Sequence, residues 1–313
     1  MMFLKTALGI LFFFFLTIAY FLYVDPGAFF NWSVDMQRAK AGLVKKMVKI
    51  DGHDIAYLET KHYHPDKKTI VFVHGFSGHK DHWTQIASYL YKDYNLLLID
   101  LPGFGESTRK DPQLYTIPQQ VDRLHQVVSK LNLEKFHLAG SSMGGHISSL
   151  YTITYPDKVD TLALYTSAGV TSPEPSEHAL SIARGKNMLL PNTAAEFKET
   201  LNFVFEKPPY MPGNIVDHLA ELSIKDRAFN GAAYLAMYRD SPHPLDSSLE
   251  KIQVKTFILW CDNDNVIDVS AARIFNEKLA KSKLVIMENC GHLPMMERPE
   301  ESASHYIKFL DSI

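Results

Sequence analysis

The chain has 313 residues, of which 46% are hydrophobic and 21% are charged, enough for one large α/β domain with an insertion or for two ordinary domains. A net charge of −3 excludes the broad basic surface that nucleic acid requires, so we expect no nucleic-acid partner. The two cysteines, Cys261 and Cys290, are too few for a disulfide framework or a cysteine-rich metal site.

The N-terminal segment differs in composition from the rest of the chain. Residues 6–24 contain no charged side chain and include four consecutive phenylalanines. A helix of that length extends roughly 28 Å, close to the hydrocarbon thickness of a bilayer. We therefore predict a single-pass membrane anchor over residues 1–24, on an undetermined side of the membrane because the flanking charges do not decide its orientation. A cleaved signal peptide is the alternative, although the apolar run is longer than a signal-peptide core and no Ala-x-Ala-like site follows it.

Two short segments lead from the predicted anchor into the domain. Residues 25–42 are predicted to be a juxtamembrane linker, and the aromatic side chains of Phe29, Phe30 and Trp32 would suit a lipid surface. The next stretch has Asp51-Gly52 between two strand-like runs, a pattern typical of a hairpin turn. We expect this hairpin to form an antiparallel edge of the sheet.

Beyond the hairpin, short apolar runs alternate with segments of helical periodicity. The runs predict strands buried on both faces at residues 69–73, 95–99, 135–139, 161–165, 255–260 and 283–287. The alternation indicates βαβ units, and hence an α/β fold with a doubly wound, mostly parallel sheet built from residues 43–168 and 251–313.

One long stretch, residues 169–250, interrupts this alternation. A plain loop of that length is uncommon inside a compact domain, so we predict an inserted helical cap. Apolar periodicity within it predicts helices at residues 194–205, 215–228 and 232–238, with prolines between them.

Ser142 is the candidate nucleophile. It is the serine of a Gly-x-Ser-x-Gly motif that follows a strand-like run and precedes a helix-compatible one. In that context the motif forms a nucleophile elbow, a sharp turn in which the serine adopts a strained backbone conformation between small neighbours. By itself the motif also fits an ordinary Gly/Ser turn, so the serine needs partners elsewhere in the chain.

A serine hydroxyl needs a base that takes its proton and an acid that orients the base. Both follow Ser142 in the order acid, then histidine, each after one of the last two predicted strands. Asp264 is the acid that we favour, with Asp262 and Asp268 of the same loop as alternatives. His292, which lies between Gly291 and a proline-containing turn, is the candidate base.

The negative charge that develops during ester cleavage requires two backbone N–H donors. One is expected from Met143, directly after the nucleophile, and the other from Phe76, in the loop after the first parallel strand. Gly75 would permit the tight backbone there, although His74-Gly75 also fits an ordinary strand-end turn. No metal or organic cofactor is predicted for this chemistry.

Five motifs in this order resemble those of the α/β-hydrolase superfamily: residues 74–76, 100–107, 140–145, 260–264 and 291–299. The resemblance implies the triad Ser142, Asp264 and His292, with Phe76 and Met143 as oxyanion donors. With its apolar N-terminus and cap, the chain is similar to membrane-anchored monoacylglycerol lipases of the abhydrolase-domain-6 type and to related bacterial lipases and esterases. That similarity implies hydrolysis of lipid esters, most simply monoacylglycerols, with release of fatty acid at a membrane.

Two other functions stay open. One is hydrolysis of a carbon–carbon bond by the same fold, and the other is an inactive, membrane-tethered binding protein. Haloalkane dehalogenases and epoxide hydrolases are excluded, because they need a carboxylate where this chain has Ser142. Acyl-chain length, regiospecificity and oligomeric state are not determined by these patterns.

The cysteines lie beside the predicted triad loops. We expect Cys261 and Cys290 to be buried, reduced thiols that act as small apolar residues. The alternative is that neighbouring strands bring the two sulfurs together, so that oxidation affects the loops of Asp264 and His292.

Overall fold

The structure is a computed structural model that describes residues 2–240 and 244–313. Within those ranges, eight strands form one sheet: β1 (Leu43–Ile50), β2 (His53–Thr60), β3 (Thr69–Val73), β4 (Asn95–Ile99), β5 (Phe136–Ser141), β6 (Val159–Tyr165), β7 (Lys255–Cys261) and β8 (Ser282–Met287). The α-helices of the described chain are α1 (Met2–Val24), α2 (Pro26–Lys40), α3 (Thr84–Leu90), α4 (Ile117–Lys130), α5 (Met143–Thr154), α6 (Glu177–Ala183), α7 (Ala194–Val204), α8 (Gly213–Leu235), α9 (Ser270–Lys278), α10 (Pro294–Glu297) and α11 (Pro299–Leu310). Short 3₁₀ and π turns lie at Lys80–Trp83, Pro112–Leu114, Pro156–Lys158, Ala236–Asp240 and Leu249–Lys251.

The strand order is β1-β2-β4-β3-β5-β6-β7-β8. β1 pairs antiparallel with β2 and β2 with β4, whereas all pairs from β4 through β3 to β8 are parallel. This order confirms the predicted α/β fold, with its antiparallel hairpin at the edge of a mostly parallel sheet. Since parallel strands share one direction, the loops after β3, β5, β6, β7 and β8 all leave the sheet at the same edge.

Apolar residues pack on both faces of the sheet. Successive residues of β3 face opposite sides: Val71 belongs to the core cluster that includes α4, α5 and α9, and Phe72 to the one that includes α3 and α11. Both side chains are fully buried. The two helical layers therefore hold the sheet rigid and fix the positions of the loops at its carboxyl edge.

The three helices α6, α7 and α8 lie between β6 and β7, within the stretch for which a cap is predicted. The Leu245 N–H donates to the Gly169 carbonyl at 2.7 Å, so the beginning and the end of this insertion meet beside the sheet. Farther out, both terminal nitrogens of Arg109 lie 2.5 Å from the carboxylate of Asp226 on α8, and the guanidinium lies 5.0 Å from the centre of the Phe229 ring. These contacts tie the insertion to the loop after β4.

At the N-terminus, α1 is followed directly by α2. Within the described residues we find no helix that combines the length and the apolarity needed to cross a bilayer. The predicted single-pass anchor is therefore not confirmed. The predicted juxtamembrane segment is helical and docked on the domain, since Arg38 of α2 donates to both carboxylate oxygens of Asp81, at 2.6 and 2.8 Å.

Candidate active site

Ser142 lies at the turn between β5 and α5, with φ +53° and ψ −121°. A non-glycine residue adopts this region only when its surroundings impose it. Here the backbone is crowded, because a Cβ atom on Gly140 would lie 2.2 Å from the Gly144 carbonyl oxygen, and one on Gly144 would lie 2.2 Å from that of Val73. The glycines of the motif thus permit the close packing of β5, α5 and β3 that presents the serine at the sheet edge.

Asp264 and His292 lie in the loops after β7 and β8 and contact one another. Nδ1 of His292 lies 2.9 Å from each carboxylate oxygen of Asp264, and both residues are buried. Oδ1 of Asp264 also accepts the backbone N–H groups of Val266 and Ile267, at 2.9 and 3.0 Å. The carboxylate is therefore held in place on one side and meets the imidazole on the other.

The two alternative acids have different positions. Asp262 is exposed, and Oδ1 of Asp268 accepts the N–H of Ser270 at 2.8 Å, at the start of α9. Among the three aspartates of this loop, Asp264 is the one that the structure pairs with His292.

Thr166, which follows β6, connects the serine side to the histidine side. The Ser142 N–H donates at 3.0 Å to the carbonyl of Tyr165, the residue just before Thr166. The Thr166 hydroxyl in turn donates to the His292 carbonyl at 2.8 Å. Thr166 is fully buried and has φ +44°, an unusual value for a β-branched residue. Sequence reasoning missed this residue, because neither its conformation nor its distant partner leaves a local pattern.

The loop after β3 passes close to Ser142. A Cβ atom on Gly75 would lie 3.1 Å from the serine Cβ and 3.7 Å from its Oγ, so the backbone that carries Phe76 lies next to the hydroxyl. Met143 begins α5, and the first N–H groups of a helix have no partner within it. The structure thus brings the two predicted donor residues to the same serine.

His74, the residue directly before Gly75, stabilises this loop through hydrogen bonds. The Leu101 N–H donates to His74 Nε2 at 3.0 Å, which places the imidazole proton on Nδ1, 2.7 Å from the Gly75 carbonyl. Burial lowers the pKa of His74 to about 4, so the ring is neutral at neutral pH and keeps this tautomer. The predicted His-Gly pair is therefore a hydrogen-bonded brace between β3, β4 and the loop.

Residues of the insertion reach the same site. The His292 N–H donates to the Val204 carbonyl at the end of α7, at 2.7 Å. On α8, Asn230 donates to the hydroxyl of Ser77 at 3.0 Å, and the Tyr234 ring lies 5.4 Å from that of Phe76. Sequence analysis identified none of these insertion residues, because their partners lie far away along the chain.

Cys261 and Cys290 form a disulfide bond, with their Cα atoms 5.2 Å apart. The expectation of two reduced thiols is therefore wrong. β7 and β8 are neighbours, and Cys261 lies opposite Met287 in their register, three residues before Cys290. The bond joins the loop of Asp264 to the loop of His292 just before both reach the site.

Replacing both cysteines with alanine is expected to lower the free energy of unfolding by about 3–4 kcal/mol, because a cross-link over a sequence separation of 29 residues restricts the unfolded chain. Urea denaturation of the parent and of the double variant, without reductant, measures this difference. The parent in dithiothreitol should approach the stability of the double variant, which should itself not respond to dithiothreitol. Equal urea midpoints for parent and variant would contradict a stabilising cross-link.

Known proteins resemble this chain in sequence and fold. Residues 68–299, most of the chain, match the family described as alpha/beta hydrolase fold. The chain belongs to this family. The hydrolase is 35% identical to monoacylglycerol lipase ABHD6 of Mus musculus over 257 residues, which cover 79% of this chain and 76% of that protein.

Two further relatives cover more of the hydrolase. It is 29% identical to lipase 3 of Moraxella sp. (strain TA144) over 282 residues, covering 90% of this chain and 89% of that one. The crystal structure of a membrane phospholipase A, described as a bacterial virulence factor, superposes with a TM-score of 0.89 at 37% identity and covers 98% of both chains. These comparisons confirm the resemblance read from the five motifs, and the protein is an ester hydrolase of this family.

Proposed function

We propose that this hydrolase cleaves carboxylic esters of lipids through an acyl-enzyme on Ser142. The observation that carries the proposal is the buried Asp264–His292 pair, 2.9 Å apart, at the sheet edge where the elbow presents Ser142. The pair supplies what a serine hydroxyl lacks, a base held in one tautomer.

In the proposed mechanism His292 Nε2 takes the hydroxyl proton as Ser142 Oγ attacks the ester carbonyl carbon. The resulting oxyanion accepts hydrogen bonds from the N–H groups of Met143 and Phe76. The imidazolium, stabilised by Asp264, then gives its proton to the leaving alcohol as the C–O bond breaks. A water molecule, deprotonated by His292, attacks the acyl-enzyme and releases the fatty acid and the free serine.

We propose monoacylglycerols as the preferred substrates and residues 169–250 as the cap that shapes their binding site. The curated lipases among the relatives support an acylglycerol, and the helices α7 and α8 contact the site at Val204, Asn230 and Tyr234. The phospholipase likeness, which covers 98% of both chains, supports diacyl phospholipids as the second candidate.

A substrate panel tests these proposals. We expect the highest kcat/KM for monoacylglycerols when mono-, di- and triacylglycerols, phosphatidylcholine and p-nitrophenyl esters of one fatty acid are compared. A higher kcat/KM for phosphatidylcholine would assign the site to phospholipids instead. Labelling by a fluorophosphonate separates an active serine hydrolase from an inactive binding protein. Turnover of a dienoate with a scissile carbon–carbon bond would favour the alternative of a carbon–carbon bond hydrolase.

We further propose that the N-terminal helices hold the hydrolase at a membrane. The described apolar side chains of α1 are largely exposed, including Phe12 at 66% and Phe15 at 61%. Trp32 on the adjoining α2 is 55% exposed, while the same helix is anchored to the domain through Arg38. A disulfide persists in oxidising compartments, which supports placing the domain outside the cytoplasm.

Full-length protein carrying Phe12→Lys and Phe15→Lys is expected to leave the membrane fraction, and undiminished sedimentation with membranes would contradict this role.

A further inference from the structure

His178 of the insertion lies beside the Asp264–His292 pair. Its backbone N–H donates at 2.9 Å to the carbonyl of Asn265, the residue after Asp264. Only 7% of the residue is exposed. Its ring lies against the rings of Phe203 and Tyr234, with centroids 6.3 and 6.2 Å away. The backbone of His178 is thus held next to the loop of Asp264, and its ring contacts two aromatic neighbours.

One nitrogen of this buried ring has no partner. Nε2 lies 3.4 Å from the Tyr234 hydroxyl, whereas Nδ1 makes no hydrogen bond with any residue that the structure describes. Leaving a buried nitrogen unpaired is unfavourable, so this atom calls for a hydrogen-bond partner. A group that arrives with the substrate would supply the missing partner.

The chemistry of the ring restricts what that group is. Burial, and then the neighbouring His292, lower the pKa of His178 to about 4, so the imidazole is neutral and carries one N–H. Nδ1 is a donor in one tautomer and an acceptor in the other. A hydroxyl group satisfies either tautomer, because it both donates and accepts, whereas an ester carbonyl or an alkyl chain does not.

The mechanism indicates which part of the substrate lies here. His292 must reach the oxygen of the departing alcohol in order to protonate it, so the alcohol part of the ester lies on the histidine side of Ser142. His178 is a neighbour of His292 on that side, while Tyr234 extends from His178 towards Phe76. A hydroxyl on the second carbon from the ester oxygen, such as the one on C2 of a 1-monoacylglycerol, would therefore lie near His178.

We infer that His178 binds a free hydroxyl group of the alcohol part of the substrate, and that it thereby favours esters of polyols such as glycerol over esters of simple alcohols. This inference rests on the proposed function and deepens it. It makes His178 a specificity-determining residue that touches the substrate, with no part in the proton transfers.

The test compares two esters of the same fatty acid, a 1-monoacylglycerol and a methyl ester. His178→Phe retains an aromatic ring and removes both nitrogens, and we expect it to lower the ratio of kcat/KM for the two esters about tenfold, the usual value of one hydrogen bond. Hydrolysis of the methyl ester should stay close to that of the parent. His178→Gln, which retains a donor and an acceptor, should restore part of the preference.

His125→Phe is the matched control, because His125 lies on α4 and its Nδ1 lies 3.2 Å from the hydroxyl of Tyr151 on α5, where it makes none of the site contacts described above. It should leave the ratio unchanged. An unchanged ratio in His178→Phe would overturn the inference, and if both esters also lost activity equally, the loss would show that His178 acts through the loop of Asp264. Ser142→Ala, assayed alongside, separates this failure from that of the proposed function: only the latter leaves both hydrolyses independent of Ser142.

Discussion

Replacing Ser142 with alanine is expected to lower kcat for ester hydrolysis by about 10⁶-fold, because His292 then has no hydroxyl to activate. The fold should be unaffected, since alanine places the same Cβ at the crowded turn. Initial rates on a monoacylglycerol measure the loss. A fluorophosphonate should label the parent on the peptide that contains Ser142 and should not label the variant.

The chain offers a matched control in the adjacent Ser141. This residue is fully buried at the end of β5, so its hydroxyl is not exposed at the sheet edge. Ser141→Ala should therefore keep both the hydrolysis and the fluorophosphonate label. If the Ser142→Ala protein hydrolysed esters at the rate of the parent and was still labelled by the fluorophosphonate, the acyl-enzyme mechanism would be overturned.

Asp264→Asn is expected to lower kcat by about 10⁴-fold, because the variant holds His292 in the wrong tautomer. The backbone N–H groups of Val266 and Ile267 donate to Oδ1 and would retain the amide oxygen of the variant. The amide NH₂ would then face His292 Nδ1 and force the ring proton onto Nε2. The imidazole could no longer accept the proton of Ser142.

The two other aspartates of this loop are the controls for the acid. Asp262→Asn alters an exposed side chain, and Asp268→Asn retains an oxygen that can accept the Ser270 N–H, so both variants should hydrolyse esters at rates near that of the parent. Steady-state kinetics of the three variants on one ester decide the assignment. A loss in Asp268→Asn as large as that in Asp264→Asn would contradict it.

Local patterns predicted the strands well where apolar runs end at turns. β3 and β4 have the predicted bounds, 69–73 and 95–99. β5 continues two residues beyond the predicted end at residue 139, because Gly140 and Ser141 stay extended and only Ser142 turns. The candidate catalytic residues could be predicted for the same reason, because Ser142, Asp264 and His292 each follow a recognisable strand.

Helices of the insertion were harder to predict. The sequence predicts a break between residues 228 and 232, where Gly231 occurs, yet α8 runs unbroken from Gly213 to Leu235. A glycine inside a helix costs only about 1 kcal/mol relative to alanine, which packing readily offsets. Here Leu190 approaches within 3.6 Å of the position that a Cβ of Gly231 would occupy. The seven-residue α6, which carries His178, has no periodic signal of sufficient length.

Contacts between distant parts of the chain could not be predicted from local patterns. The disulfide depends on β7 and β8 being neighbours, and the bond from Thr166 to His292 spans 126 positions. Such pairs are properties of strand order and register. They appear only when the sheet is assembled.

The hydrogen bond between Leu245 and Gly169 has a consequence for the insertion. Because the insertion leaves and rejoins the sheet at one place, its length and sequence can change while β6 and β7 keep their pairing. A segment exchanged at this junction would replace His178 and its aromatic neighbours Phe203 and Tyr234 and would leave Ser142 in place. On the proposed role of His178, exchanging this insertion would change the substrate preference while the catalytic loops stay the same.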